Sequence, residues 1–385
     1  MQITAAERRN RLAGRHLLAP AARTDTPERV VDALVGLHAS DPATVFLAAA
    51  ARLAAPTPAA VERALYDDLT LVRLLAMRRT MFVVGRELAP VVDSAAARAV
   101  AARERKGLLG YLADGGGWDA AWLARTEEAV HAVLAAGPPL SGAQLGAAVP
   151  ALRERITVAV GKPYEATQAV ASRVLRVLAA ENRIRRHRPL GSWTSSQFRW
   201  APGEPLPELP ADQARAELTR RWLAAYGPGT EADLRWWSGW NLGEVRRALA
   251  AVGALTVQLD QGTGHLLPGD AEPVPEPEPY AALLPALDPT AMGWQQRDWY
   301  LPPQHVAELF DRTGNIGPTV WWNGRIVGGW AQRPGGELVW RLLDDVGREG
   351  LAAIGAEAAR LTAFIGDARV TPRFRTPLER GLATG

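Results

Sequence analysis

One pattern recurs along the 385 residues and limits what the chain can fold into. A hydroxyl- or proline-capped short helix is followed by a second amphipathic helix, then by a basic or glycine-containing β-hairpin. The clearest copy runs from Tyr226 to Pro268. Gly227-Pro228 breaks the preceding helix and Thr230 is placed to cap the next. Glu231 and Asp233 fall in its first turn, where carboxylates suit the helix dipole. Leu234, Trp237 and Trp240 mark an apolar face. Asn241 restarts the chain as a second cap, and Leu242, Val245, Leu249 and Val252 recur at helical spacing with Arg246 and Arg247 turned to solvent. Leu255–Leu259 reads as a strand that Gly262–Gly264 turns into Leu266-Leu267.

A second copy opens at Gly137-Pro138, where Ser141 caps Ala143–Val149 and a longer helix is expected over Glu165–Glu181. Its hairpin is Arg183–Arg188, a turn at Gly191, then Trp193–Trp200. The first copy is the least regular: a helix from Pro27 to about Leu53, another from Thr57 to Tyr66, then Leu71–Val84 with Arg78-Arg79 in the turn. Helix-helix-hairpin units of this size are winged helix-turn-helix domains, and they imply duplicated domains, not a solenoid of short repeats. Beyond Tyr280 the texture changes. Ala281–Leu287 is apolar, Thr319–Trp322 and Arg325–Gln332 flank an Asn323-Gly324 turn, and Pro334-Gly335-Gly336 turns into Glu337–Leu343. A helix over Glu349–Phe364 stops at Gly366, and Val370–Arg375 reads as a late basic strand. The expected fold class is α+β, with three tandem winged helix-turn-helix domains followed by a small β-rich C-terminal subdomain. The units are placed at 1–125, 126–205, 206–275 and 276–385. Proline-rich stretches at Pro202–Pro210 and Pro268–Pro279 mark two of the boundaries, and Gly115-Gly116-Gly117 reads as a loop between helices.

Hydrophobic residues make up 48% and charged residues 22%, which is globular, and no apolar run approaches a bilayer's thickness. The N-terminus carries Glu7, Arg8 and Arg9 where a secretory signal would be apolar, so the expectation is a cytoplasmic, nucleoid-associated monomer. A cysteine count of 0 excludes disulfides, thiolate catalysis and cysteine-ligated zinc. The 6 histidines are scattered and pair with no carboxylate motif, no glycine-rich phosphate loop ends in Lys-Ser or Lys-Thr, and no Gly-x-Ser-x-Gly elbow occurs. Neither a metal nor a cofactor is expected. Net charge is +3, but Lys106 and Lys162 are the only lysines, and base composition alone can enrich arginine. Distribution is more telling: Arg183–Arg188, Arg98–Lys106 and Arg369–Arg380 are basic, while Asp270–Glu278 is acidic. A projecting wing has few structural reasons to be basic, so DNA contact is weighed equally with a solvated face.

The segment Gly36-Leu37-His38-Ala39-Ser40-Asp41-Pro42 sets three polar residues inside the apolar pattern of the first copy. Two readings stand. His38, Ser40 and Asp41 are held at a rigid helix end, a placement that suits catalysis. Alternatively, Asp41 is simply the N-cap of a new helix with Pro42 at its first position.

Several short stretches fall in a telling order along the chain: Leu34-Val35-Gly36-Leu37, Leu71-Val72-Arg73 through Ala76-Met77-Arg78-Arg79-Thr80, Leu284-Pro285-Ala286-Leu287-Asp288-Pro289, and Gly324 to Gly329. With the three repeats and the tail, this order resembles the winged helix DNA-binding domain family that includes the AlkZ- and YcaQ-type DNA glycosylases, over nearly the whole chain. The resemblance implies double-stranded DNA as partner. It also places His38-Ala39-Ser40 where those glycosylases carry Gln-x-Gln or Gln-x-Asp, the triplet that positions water against the deoxyribose carbon as an alkylated base leaves. Both expected side chains are replaced here. By the same resemblance His38 accepts a proton from water, Ser40 orients that water, and Asp41 stabilises the oxocarbenium-like sugar. Bulky N7-alkylated purines are cationic and leave readily, so modest catalytic power suffices. Phosphate contacts are expected from Arg78, Arg79 and Thr80, from Arg183, Arg185, Arg186 and Arg188, and from Arg373 and Arg375. Asp288 opens the tail, where a turn with Pro289 or a place beside the site both explain it. Loss of the two expected side chains motivates the alternative of a non-catalytic DNA-binding or regulatory protein. A protein-interaction scaffold is the third reading.

Overall fold

The computed structural model describes residues 1–158, 161, 163 and 165–384. It is a mixed α/β structure in which one order of elements recurs three times. Helix α1 (Ala5–Arg15), capped by Thr4, leads in and packs on the third repeat, where Ile3 joins Val257, Leu259 and Leu266.

The first repeat comprises α2 (Pro27–Ala33), β1 (Leu37–His38), α3 (Pro42–Ala50), α4 (Pro58–Tyr66), β2 (Leu71–Leu75) and β3 (Met81–Gly85). Its strand order is β1-β3-β2. The single helix expected over Pro27–Leu53 is therefore two helices with a strand between them. Val35 has a φ of 61°, which ends the first, and Asp41-Pro42 starts the second. All nine residues of α3 are buried, so it has no polar face, and apolar spacing alone cannot tell two buried segments from one helix.

Helix α5 (Ala89–Val92) continues through a π turn into α6 (Arg98–Gly116). Of the loop expected at Gly115-Gly116-Gly117 only Gly117 lies outside the helix, where its φ of 68° stops α6, and the connection runs over 117–119. The second repeat follows as α7 (Ala120–Ala136), β4 (Leu140–Ser141), α8 (Gly142–Ala148), a hairpin of β5 (Arg155–Val158) and β6 (Ala166–Ala169), α9 (Ala171–Ala180), β7 (Ile184–Pro189) and β8 (Phe198–Pro202). The helix expected from Glu165 starts instead at Ala171. Residues 166–169 pair across to 155–158, with Thr157 and Thr167 hydroxyls 3.0 Å apart. The strand expected from Trp193 starts at Phe198, because the Ser192 and Thr194 hydroxyls bond each other at 2.8 Å and hold a turn.

The third repeat is α10 (Ala211–Tyr226), α11 (Glu231–Ser238), α12 (Leu242–Ala251), β9 (Leu255–Leu259) and β10 (Gly262–Leu266). Thr230 with Asp233 and Asn241 with Glu244 close reciprocal capping boxes on α11 and α12. Gly229 bridges His265, which gives this repeat a one-residue counterpart of β1 and β4. In all three repeats the leading strand pairs with the last strand of the hairpin.

The C-terminal part holds β11 (Ala281–Leu284), α13 (Val306–Leu309), β12 (Thr319–Trp322), β13 (Arg325–Gln332), β14 (Leu338–Leu342), α14 (Gly347–Ile365) and α15 (Pro377–Thr384). Its sheet runs β11-β12-β13-β14. Asn323 and Gly324 both have positive φ, as a type I′ hairpin turn requires. Val370–Arg375, expected as a strand, pairs with no strand. Its backbone donors are taken by side chains instead: Val370 N by the Gln332 amide oxygen and Arg373 N by the Asp41 carboxylate, both at 2.8 Å.

The second repeat has its own core around Leu112, Leu145, Val174 and Leu178. The largest core joins Leu12 and Val84 to Trp222, Trp237, Trp294 and Trp321, so α1 and the first repeat are packed together with the third repeat and the tail. Another joins Phe46 and Leu65 to Leu283, Ile354 and Phe364. Between these cores the Arg52 guanidinium forks onto the Asp288 carboxylate at 2.9 and 2.7 Å, both side chains fully buried. Among the described residues no helix is long and apolar enough to cross a membrane.

Candidate functional site

The first repeat positions its polar triplet through backbone pairing. Leu37 and His38 pair with Val83 and Phe82, and Ala39 N donates to Met81 O at 2.8 Å, which fixes the approach to α3. Asp41 caps α3: one carboxylate oxygen accepts from Ala43 N at 3.1 Å and the other from Arg373 N at 2.8 Å. The Arg373 guanidinium reaches the Ser40 carbonyl at 3.3 Å. Burial raises the Asp41 pKa, against the lowering effect of those two backbone bonds. Asp41 is 6% exposed and does not line the cleft that Ser40 reaches, so its carboxylate faces the backbone it caps. Its role here is the helix cap.

His38 is 4% exposed, and its ring lies against Phe82 at 5.1 Å between centroids. Its Nδ1 is sealed from solvent without a partner. Burial, helped by the Arg78 charge, lowers its pKa to about 3, so the imidazole is neutral at physiological pH. Arg78 sits at the tip of the β2–β3 hairpin with a φ of 53°, and its guanidinium stacks 3.9 Å over Trp236 of the third repeat. That packing ties the first repeat to the third and turns Arg78 inward. Arg79 next to it, with a φ of 61°, extends outward and pairs with Glu104.

Ser40, alone of the triplet, reaches an open cleft of about 580 Å³ between the first repeat, the second repeat and the C-terminal segment. Arg79, Arg176, Arg186 and Arg373 line it, and among the described residues no carboxylate does. Thr80 also lines it, its hydroxyl donating to Met77 O at 2.8 Å. Trp200 and Phe374 supply aromatic faces. A second cleft of about 770 Å³ shares Arg79 and continues toward the third repeat past Arg103 and Arg215, with Glu104 and Glu244 in its wall.

The structure thus brings Ser40, Arg79, Thr80, Arg186 and Arg373 to one cleft and leaves other expected contacts elsewhere. Arg183 pairs with Glu127 at 2.5 Å, Arg188 with Glu62 at 3.0 Å and Asp67 at 2.5 Å, and Arg375 with Glu379 at 2.7 Å. Arg185 lines a narrow apolar recess between the hairpins of the first two repeats. Arg176 and Trp200 were not singled out from sequence as contacts. Arg176 lies on α9, and only the boundaries of that helix could have shown that it faces the basic hairpin. Asp288 lies in the buried pair with Arg52, away from the cleft. Among the described residues no group of three histidine or acidic side chains is placed to hold a metal ion.

A protein of three recurring helix-hairpin units around an arginine-lined cleft is the class these features define. Residues 31–364 match the AlkZ-like DNA glycosylase family, and the chain belongs to that family. In three dimensions it is similar to the Streptomyces sahachiroi DNA glycosylase AlkZ, with a TM-score of 0.70 and 22% identity, over 97% of this chain and 100% of that one. No curated protein matches the sequence.

Proposed function

We propose that this chain is a monofunctional DNA glycosylase that removes bulky alkylated purines from duplex DNA, built on three winged helices. The recurring element order, with the leading strand always paired to the last strand of the hairpin, supports the winged-helix reading. The observation that carries the activity is Ser40 at the edge of a four-arginine, carboxylate-free cleft in a chain of this glycosylase family.

In the proposed reaction the bond between C1′ and the purine nitrogen breaks and its electron pair neutralises the cationic alkylated base. Water then forms the new bond to C1′ and loses its proton to solvent. The Ser40 hydroxyl holds that water. His38, buried behind the cleft and kept neutral, is not a base that cycles its proton; it packs beneath the Ser40 segment. Duplex DNA carrying N7-alkylguanine is the test. Abasic sites should form faster than by spontaneous depurination; no excess over the protein-free rate overturns the reading.

The burial of His38 and the capping role of Asp41 favour a second reading, a non-catalytic duplex-binding or regulatory protein. It gives salt-sensitive duplex binding with no base release.

A further inference from the structure

Among the described residues Arg186 forms no ion pair with a carboxylate. Arg183 and Arg188, on either side, are each paired with a carboxylate. The charged neighbours of Arg186 are instead three more guanidiniums, Arg73, Arg176 and Arg373, with the Tyr66 phenol the one neighbour of opposite effect. Burial and these like charges lower its pKa to about 10. Its orientation is fixed, since the guanidinium lies over the Phe198 ring at 5.0 Å and the Trp200 ring at 6.0 Å. Arg73 lies over the same Phe198 ring at 5.3 Å, and Arg373 is tied to the Ser40 carbonyl. Glu104 holds Arg176 at 3.2 Å from the far side.

Of these four guanidiniums only Arg176 has a carboxylate partner among the described residues, so like charges outnumber the one carboxylate, and their repulsion is relieved when an anion enters. Planar guanidinium groups suit the oxygens of a phosphate, which they can grip with paired hydrogen bonds. We propose that Arg186, with Arg176 and Arg373, forms a binding site for a single phosphate group, and that in the cleft beside Ser40 its occupant is one backbone phosphodiester of duplex DNA. The choice of occupant rests on the DNA-glycosylase reading above; the anion site does not. The site excludes Arg183, Arg188 and Arg375, which are paired with carboxylates and do not line the cleft.

The test compares the parent with Arg186→Gln and Arg186→Lys in two assays. In thermal unfolding at constant ionic strength, millimolar inorganic phosphate exchanged for chloride should stabilise the parent and not Arg186→Gln. In duplex binding across a salt series, Arg186→Gln should lower the slope of log K against log salt by about 0.9 and weaken binding roughly tenfold whatever the sequence. Arg186→Lys should restore the slope. Single methylphosphonate substitutions along the duplex should reveal one position that weakens the parent but not Arg186→Gln. If Arg186→Gln keeps the parent's salt slope, and every methylphosphonate position affects both proteins equally, the phosphate site is overturned while DNA binding stands. If phosphate stabilises through Arg186 but no duplex binds at low salt, the anion site stands and the DNA reading falls.

Discussion

The backbone N–H of Arg373 donates to the Asp41 carboxylate at 2.8 Å, across 332 residues of sequence. This bond fastens the C-terminal segment to the start of α3, beside Ser40 at the cleft. Because the donor is a backbone group, Arg373→Ala leaves it intact, whereas Asp41→Ala removes both this bond and the helix cap. Asp41→Ala should cost about 2 kcal/mol in urea unfolding, and Asp41→Asn, which keeps one acceptor for the cap but sets its amide nitrogen against the Arg373 N–H, about half of that. Equal losses in the Ala and Asn variants would show that the cap is not what Asp41 contributes.

His38 links stability to pH with a definite sign. Its folded pKa of about 3 lies below its ordinary value of 6.5, so between these limits the unfolded chain binds a proton that the folded chain refuses. The contribution is present above pH 6.5 and is lost as pH falls toward 3, at about 1.4 kcal/mol per pH unit. His16, buried against Thr290 and the Ala225 carbonyl and likewise lowered to about 3, adds a parallel slope. His38→Gln should therefore remove its own share of the fall in stability between pH 6.5 and 4.5, about 1.4 kcal/mol per pH unit, measured from denaturant midpoints. An unchanged slope would mean that His38 is protonated in the folded protein.

Ser40→Ala separates holding water from holding DNA. The hydroxyl borders the cleft, while the segment around it is held by Asp41, Ala39 N and the Ser40 carbonyl, none of which the substitution alters. Release of N7-alkylguanine should fall on the order of 100-fold, with duplex affinity unchanged. A matching loss of affinity would assign Ser40 to binding.

Local signals in the sequence were readable where local chemistry decides the structure. Ser141, Thr230 and Asn241 cap the helices that follow them, and Asn323-Gly324 makes its turn; the reciprocal bonds from Gln144, Asp233 and Glu244 emerge only in the structure. The two-residue strand β1 was not readable, because a pair of residues carries no alternation and its partner lies more than forty positions on. Helix α15 followed a basic stretch that resembled a strand, and only the Gln332 and Asp41 side chains show why that stretch forms no ladder. The cleft was legible in part. The hairpin arginines were visible as a cluster, but which of them keep a free charge depends on Glu62, Asp67 and Glu127, brought in by other elements.

Arg52 and Asp288 form a fully buried pair that also engages the His16 carbonyl and the Thr290 hydroxyl. Removing one partner strands the other charge in the interior. Arg52→Met and Asp288→Leu should each destabilise by about 3–5 kcal/mol, and the double variant should recover a large part of that loss. Strict additivity in urea unfolding would show that the two charges do not act as a unit.

Pairing also ranks the arginines of β7. Arg188 sits between Glu62 and Asp67, so a phosphate at that position would have to displace two carboxylates. Arg188→Gln should therefore leave the salt slope of duplex binding unchanged, and its structural loss should be under about 1 kcal/mol, as for an exposed ion pair. Exposing the guanidinium instead, with Glu62→Gln and Asp67→Asn together, should steepen the slope by roughly one contact's worth of released counterions. A lower slope in Arg188→Gln would mean that DNA reaches across the whole strand and breaks both ion pairs on binding. The cation-rich hairpin would then be read by the duplex along its length instead of at the cleft end alone.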